Sequence, residues 1–428
     1  MKDKIKKILG TLGIDKYIIE DNKKESVELF FIRKRLDMRR MTDIREINVT
    51  VFKDFEETKD GETRKFRGSS KCVLYPSMTD DEIKKSLSDA YLAAGFVKNE
   101  FYEMPAGEKN GHTDVASNIA DKGLEEAAGI VAAALFAEDT RSDVFLNTVE
   151  LFVFRTDRSI TSSFGADVGY TKWNIEGEFV AQAKEPQDVE TYRGFEYDDI
   201  DEEAIRANVR RTFEMTKARA QAEKSPENGT CDVIISGQDL RELLEFFLER
   251  ANAGAIYPKY SDYKIGTKAQ GENIEGDALT IDLSSTVPYN SEGISIKDRR
   301  LLEKGEVKSI VGNSRFCYYL GVEPTGMYDT LKVEKGKVSL EEMKKKECLH
   351  CVNFSGLEVD YMTGDFGSEV RLGFLCKDGK ETPVTHFSIS GNLYDVVGKL
   401  TLSSDGFRES GYDGPFAVRI PGLSVAGE

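Results

Sequence analysis

The sequence predicts an α+β fold: a mixed strand–helix N-terminal domain followed by a strand-rich, largely antiparallel C-terminal domain. Three observations predict it. Strands and helices follow one another without strict alternation, which does not suit a doubly wound sheet. Glycine is frequent, 37 in 428 residues, and proline sparse at 10, a balance that favours tight turns and hairpins over stiff linkers. With 39% hydrophobic and 32% charged residues, the chain has enough apolar surface to offset the entropy of ordering it.

The elements follow in order. Lys2, Lys4, Lys6 and Lys7 precede Ile8, Leu9, Leu12 and Ile14. Gly10, Thr11 and Gly13 interrupt the apolar part, so it is too short for a signal-peptide core and predicts an amphipathic first helix. The stretch to about residue 75 predicts strands, with Ile47, Val49 and Val51 at a spacing of two. Asp60-Gly61 supplies a hairpin turn. Thr79-Asp80-Asp81-Glu82 is a capping box. Ile83, Leu87, Ala90 and Ala94 make the stripe of the helix it opens, and Gly95 is expected to close it in the left-handed conformation. A helix is predicted over Gly123–Ala137, and strands over 149–154 and 173–183, separated by a Ser-, Thr- and Gly-rich stretch at 159–170. The acidic run 197–203 reads as the N-terminal flank of a helix over 204–220, where carboxylates meet the positive end of the dipole. Residues 224–229, Lys-Ser-Pro-Glu-Asn-Gly, mark the boundary between domains at 1–225 and 226–428. Beyond it come a short strand at 231–235, a helix at 238–251 and a strand-rich remainder. The hairpin around Lys377-Asp378-Gly379-Lys380 is its clearest element.

Composition excludes several functions. A net charge of −17 argues against direct binding of nucleic acid, which needs Lys and Arg to displace counterions. The basic runs at 2–7 and 33–40 read as solvated faces. The longest apolar run, 130–137, is far below the roughly 20 residues of a membrane span, which predicts a cytoplasmic protein. The six cysteines, at 72, 231, 317, 348, 351 and 376, are too few for a disulfide scaffold and predict reduced, mostly buried thiols.

The three histidines, His112, His350 and His386, include no i, i+4 pair, so His-Glu-x-x-His and His-Glu-x-x-x-His are both absent. Cys348 and Cys351 form a C-x-x-C on a predicted strand, where residues three apart face opposite ways. Cys376 and His386 would stand about 17 Å apart along a hairpin, too far for a nucleophile and its base. The helix at 238–251 carries Glu242, Glu245 and Glu249 on one flank. Such carboxylates can hold a metal or move protons; opposite the stripe Leu240, Leu243, Leu244, Phe247 and Leu248 they also read as a solvated face. No phosphate-binding glycine loop is present. Ser162-Ser163 and Ser284-Ser285 have no base nearby in sequence.

Several motifs carry a family resemblance: Tyr289-Asn290-Ser291-Glu292-Gly293, the segment 305–321, Thr363-Gly364-Asp365-Phe366, the hairpin 373–384, Ser390-Gly391-Asn392-Leu393 and the terminal Leu423-Ser424-Val425-Ala426-Gly427. In this order and spacing the stretch from 289 onward resembles the TldD/PmbA (TldD/TldE) family, specifically over about a third of the chain. The resemblance implies zinc peptidases of TldD type, with a His-Glu-x-x-x-His helix and a Cys ligand near the C-terminus. It also implies PmbA- or TldE-type partners without the histidine pair, the two together enclosing a channel for unfolded peptides. Here the corresponding helix has Glu242, Glu245 and Glu249 but no histidine, and the later segment reads Ser410-Gly411-Tyr412-Asp413-Gly414-Pro415 without cysteine. The expected function is therefore a non-catalytic PmbA/TldE-like subunit with no cofactor of its own, zinc residing only in a TldD-like partner. Peptide-channel candidates are Glu242, Glu245, Glu249, Thr363, Gly364, Asp365, Gly391 and Asn392. The expected partners are that TldD-like subunit and an unfolded peptide, with a homodimer in isolation and neither membrane nor nucleic acid. The homodimer is expected to cover an apolar hairpin edge bearing Leu372, Phe374, Val384 and Phe387. The alternatives are a stand-alone peptide-binding or regulatory protein of the "modulator of DNA gyrase" type, and a hydrolase with an unrecognised site.

Overall fold

A computed structural model describes residues 1–109, 111–409 and 411–427. The first half runs α1 (Lys2–Thr11), β1 (Tyr17–Ile32), β2 (Arg35–Lys59), β3 (Glu62–Leu74), α2 (Asp80–Ala94), β4 (Gly111–Asp114), α3 (Gly123–Ala137), β5 (Val144–Ser162), β6 (Asp167–Ala183), β7 (Val189–Tyr197) and α4 (Glu202–Gln221). The seven strands form one sheet in the order β3-β2-β1-β5-β6-β4, with β7 also on β6. Every pairing is antiparallel except β4 with β6.

The spacing of two decides which face is covered. Ile19, Ile47, Val49 and Val51 point to one side, where α1 and α2 bury them against Ile5, Leu9, Ile83 and Leu87. Further along the same side, Val27, Leu29, Leu151 and Val153 are buried under α3 and α4. Burying each such side chain contributes about 1.5–3 kcal/mol. All four helices thus lie on one face. Glu20, Ser26, Glu28 and Phe30 of β1 point to the other, beside Phe152, Phe154 and Arg158 of β5. At one end that side is covered by the second half of the chain: Ile18, Phe52, Ile160, Val168 and Tyr170 are buried there with Tyr289, and Arg315 and Phe316 face Glu20 and Phe52 across a small cavity. Phe30 meets Phe152 edge-on at 5.6 Å, and the Lys24 ammonium lies 3.5 Å from the centre of the Phe154 ring.

Local chemistry explains the turns and caps. Asp60 and Gly61 both take positive φ, 56° and 84°, and join the paired Lys59 and Glu62. The capping box forms, with the Glu82 amide 3.3 Å from Thr79 Oγ1 and the Thr79 amide 2.8 Å from Glu82 Oε2. Thr79→Ala is expected to lower stability by about 1 kcal/mol in urea denaturation. Gly95 corrects the expectation for the other end. Its φ is −69°, and the helix closes through i→i+3 bonds from Gly95, Phe96 and Val97 rather than a left-handed cap. The stretch 159–170 is mostly strand, because β5 and β6 extend toward each other and leave only residues 163–166 between them. Asp201 caps α4, its Oδ1 accepting from the Ala204 amide at 3.0 Å.

The second half runs β8 (Gly229–Ser236), α5 (Leu240–Arg250), β9 (Ile281–Ser284), β10 (Arg299–Glu303), β11 (Glu306–Val307), β12 (Thr330–Val333), β13 (Cys348–Phe354), β14 (Glu358–Val359), β15 (Asp365–Lys377), β16 (Lys380–Val384), β17 (Phe387–Asn392), β18 (Thr401–Leu402), β19 (Gly406–Glu409), β20 (Tyr412–Pro415) and β21 (Ala417–Gly427), with short helical segments in the connections. One sheet has the order β11-β10-β9-β12-β20-β19. In the other, β8, β21, β17, β15 and β13 pair successively, and β13 returns to β8 in parallel, so the strands close a ring. Asp378 and Gly379, at φ 51° and 73°, turn the hairpin with Lys377 opposite Lys380 and Cys376 opposite Glu381. A shared core unites ring, six-stranded sheet and α5. The hairpin edge does not need a second subunit to cover it: Leu372, Val384 and Phe387 are buried within their own chain, since β13, β14, β16 and β17 flank β15 on both edges.

Candidate functional site

Helix α5 is held on nearly all sides. Leu240, Leu243, Leu244, Phe247 and Leu248 are buried as their spacing predicts, and Phe246 joins them at 2% exposure. What emerges is one polar flank of Arg241, Glu242, Glu245 and Glu249. Glu245 lies 3.5 Å from Arg241 one turn earlier. Partial burial raises the carboxyl pKa values of Glu242 and Glu249, and the neighbouring Glu245 charge adds to both.

The residues 241–246, Arg-Glu-Leu-Leu-Glu-Phe, have the spacing of His-Glu-x-x-x-His, a correspondence that counting histidines alone misses. In the register that sets Glu242 at the glutamate of that spacing, Arg241 and Phe246 take the places of the two histidines. Arg241 is a cation, and Phe246 is sunk among Phe247 and Tyr394 at ring distances of 5.4 and 5.7 Å. A Cβ placed on Gly411 would come within 2.9 Å of Arg241 Nη1, so α5 does lie against the segment beginning at Gly411; Ser410 is outside the described residues. Among those residues no group of three or more His, Cys, Asp or Glu side chains is arranged to hold a metal ion. The donor set does not fit zinc, which takes several N, S or O ligands at once.

The second set of candidates meets in one corner. Asp360 Oδ1 accepts from the amides of Met362 and Thr363 at 2.7 and 3.2 Å, shaping a turn that brings Gly364 to φ 78°. Any Cβ at Gly364 would lie 2.5 Å from the Tyr394 ring, and one at Gly391 2.6 Å from Leu423. Asn392 donates to the Thr363 carbonyl at 2.9 Å and to Asp365 Oδ1 at 2.8 Å, while its own oxygen accepts from the Tyr394 amide at 2.9 Å. Thr363, Gly364, Asp365, Gly391 and Asn392 are therefore brought together, and each is engaged in holding the corner. Tyr394 links it to the end of α5, with the Arg250 guanidinium 5.3 Å from its ring. The three glutamates do not enter this cluster.

Between the halves lies a cleft of about 620 Å³, reached by Asp198 and Asp201 of the acidic run and by Arg241, Asp329, Lys332 and Asp413. Asp329 accepts from the Thr286 hydroxyl at 2.7 Å, and Lys172 bridges Thr286 and Asp198 at 2.8 and 3.1 Å. Behind it Arg193 of β7 forms a buried ion pair with Glu409 of β19. Asn208 of α4 donates to Glu409 at 2.6 Å and accepts from Arg193 at 2.9 Å. Nothing in the spacing of these three residues reveals that they meet.

The histidines are scattered. His112 is 2.8 Å from Thr171 Oγ1. His386 is exposed at φ 56°, beyond the end of β16. His350 is buried on β13 with Nε2 2.8 Å from Ser236 Oγ, a pair hidden in the sequence because the two residues lie 114 apart. Ser236 is 3% exposed and, among the described residues, no carboxylate orients the ring, so the pair lacks the parts of a nucleophile and base. On the same strand Cys348 faces outward beside Cys376, whereas Cys351 lies in the core.

A two-part, strand-rich α+β fold built around a helix with carboxylates but no imidazole pair defines the class. Residues 228–427 match the family model described as the PmbA/TldA metallopeptidase C-terminal domain. A metalloprotease of Methanothermobacter thermautotrophicus is 25% identical over 252 residues, covering 53% of this chain and 54% of that protein. The chain thus spans about half the length of the curated relatives it matches. Two solved structures share the whole fold. TldE from Thermococcus kodakarensis superposes with a TM-score of 0.76 at 16% identity, covering 100% of both chains. A Thermotoga maritima protein described as a modulator of a DNA gyrase does so at 0.75 and 20% identity, covering 99% of both. Residues 228–427 thus belong with the metallopeptidase-related PmbA/TldD C-terminal domains.

Proposed function

We propose that the chain is the non-catalytic, TldE-like subunit of a TldD-type zinc metallopeptidase complex that acts on unfolded peptides. One observation carries the reading: the four N-terminal helices cover one face of the seven-stranded sheet, whereas the opposite face is buried against the second half of the chain only at one end and elsewhere presents Asn22, Lys24, Phe30 and Phe152. Such a face suits the wall of an enclosure, where an extended peptide meets backbone-spaced polar groups and aromatic rings without folding. Arg241 and Phe246 at the imidazole positions support a role without metal, zinc remaining with the partner. In this reading Glu242, Glu245 and Glu249, with the corner around Thr363 and Asn392, lie along the peptide's path. An open edge supports association. Residues 35–46 of β2 pair only with β1, and Met38, Met41 and Ile44 are exposed there. In isolation this edge is expected to join a second copy as a homodimer.

Co-expression with a TldD-like chain carrying His-Glu-x-x-x-His tests the proposal. The expected result is a stable complex with zinc on the partner only, which cleaves an unfolded peptide while this chain alone does not. One tightly bound zinc per copy of this chain, cleavage by this chain alone, or no association with any such partner would refute it.

A further inference from the structure

Residues 38–46 of β2 have a strand partner on one edge only: β1 pairs with them, and β3 joins β2 only from Ile47 onward. Met38, Met41 and Ile44 are 45%, 56% and 55% exposed there. A row of open backbone amides and carbonyls beside apolar side chains is a template for another strand. The charges along it are already answered within the chain. Arg39 meets Glu125 at 2.7 Å, Arg40 meets Glu28, Arg45 meets Asp21 at 2.7 Å, and Asp43 reaches Lys23 at 3.5 Å. The edge is therefore not a bare cationic strip that would draw a polyanion.

Antiparallel geometry limits how this strand can meet a copy of itself. Facing residues either both turn their amide and carbonyl toward each other or both turn them away, and the two kinds alternate along each strand. A self-pairing is thus centred on a residue, never between two. Centring on Arg39, Arg40 or Asp43 sets like charges face to face at the axis, and centring on Thr42 sets Arg39 against Arg45. Like charges directly opposite are destabilising. Centres beyond these run the copy into the turn at 33–34 or into β3. Centring on Met41 sets Arg39 against Asp43, Met38 against Ile44 and Arg40 against Thr42, each twice, with Met41 against itself. The faces agree as well. Met38 and Ile44 lie opposite Phe30 and Lys24 of β1, on the face away from the helices, so the two Met38–Ile44 pairs carry the strip of Phe30 and Phe152 across the junction.

We propose that β2 pairs antiparallel with β2 of a second copy about a two-fold axis at Met41, joining the two N-terminal sheets into one. The proposal rests on the association expected of this edge in the reading above, and adds to it the partner strand, the register and the axis. About seven residues per copy make a junction smaller than the roughly 1,200–2,000 Å² of a stable interface, so the pairing is reversible at micromolar concentration.

The test uses the full chain. Sedimentation is expected to show a dimer at about 100 μM that dissociates near about 1 μM. Ile44→Lys, which sets an ammonium opposite Met38 of the copy, is expected to weaken the dimer at least about tenfold. Disulfide trapping, with copper phenanthroline and air as the oxidant, reads the axis. Facing Cα atoms about 4.5–5.5 Å apart suit a disulfide, so Met41→Cys is expected to trap the dimer. In the same register Arg39→Cys places its two thiols about four residues of strand apart, roughly 13 Å, and is expected not to. Arg39→Cys chains mixed with Asp43→Cys chains are expected to trap the mixed pair. The parent, with its own six cysteines, is the control. A monomer at about 100 μM, a dimer indifferent to Ile44→Lys, or equal trapping by Met41→Cys and Arg39→Cys overturns the proposal. Co-expression with the TldD-like chain is scored separately. A zinc-bearing complex without self-pairing refutes this inference alone, and self-pairing without any such complex refutes the subunit reading alone.

Discussion

Glu409→Ala is expected to lower the unfolding free energy by about 3–5 kcal/mol, among the largest effects of any single change in this chain. Glu409 and Arg193 have side-chain exposures of 3% and 6%. Removing the carboxylate leaves Arg193 buried without its counter-ion and takes the acceptor from the Asn208 amide. An unpaired buried charge is penalised far more than a surface one. The intact pair itself adds little over an apolar filling, since desolvation offsets most of its attraction. The triple replacement Arg193→Met, Asn208→Leu, Glu409→Met is therefore expected to stay within about 1–2 kcal/mol of the parent. Urea denaturation of the full chain checks both. The pair joins β7 to β19, so Glu409→Ala should also expose the connection at 222–228 to limited proteolysis. A loss below about 1 kcal/mol for Glu409→Ala would show that water or a neighbouring group compensates the arginine.

Acid is expected to destabilise the protein through His350. Burial, helped by the Lys344 ammonium, pushes this imidazole's pKa down to about 3 from an ordinary 6.5. Between those values the unfolded chain takes up a proton that the folded chain refuses, so stability is complete above pH 6.5 and falls as pH drops toward 3. The slope is about 1.4 kcal/mol per pH unit, and the total on the order of 5 kcal/mol. Asp239 works against it. Burial first, opposed by Arg193, pushes its carboxyl up to about 6 from 3.8, so its own contribution grows as pH falls through that interval. The parent's response between pH 6 and 4 is thus flattened, and the cleaner readout is its difference from His350→Gln. That difference should shrink by about 1.4 kcal/mol per unit below pH 6.5. A gap independent of pH from 7.5 to 4.5 would mean that the imidazole is not held neutral.

The sequence made the local structure legible and left the meeting of distant segments hidden. The stripe Ile83, Leu87, Ala90 and Ala94 is the buried face of α2, and Asp378-Gly379 sets the register of β15 with β16, because both follow from spacing and turn chemistry alone. The hairpin 373–384 misled in another way. Its apolar residues read as an edge awaiting a second subunit because β13, which covers them, lies on the far side of residues 355–364 and pairs by register rather than by sequence proximity. For the candidate site, the flank Glu242, Glu245 and Glu249 was legible from helical spacing. The contacts of Ser236 with His350 and of Glu409 with Arg193 and Asn208 were not, since they are made by residues 114 to 216 apart. Arg241 and Phe246 lay in plain view but show their meaning only when the helix is compared position by position with a metal-binding one.

The closed strand ring also sets an order of assembly. β8 at 229–236 pairs along β21 at 417–425 and β13 at 349–351, so its neighbours arrive from more than a hundred residues away. In the first half β1, β2 and β3 pair through consecutive hairpins, as do β5, β6 and β7. Closing short loops costs less chain entropy than gathering remote strands, and folds rich in nearby contacts form faster. The hairpin groups β1–β2–β3 and β5–β6–β7 are therefore expected to form ahead of the ring, while Val233, Ile234 and Ile235 wait unpaired. During that interval this apolar strand is the segment most in need of protection from pairing with another molecule.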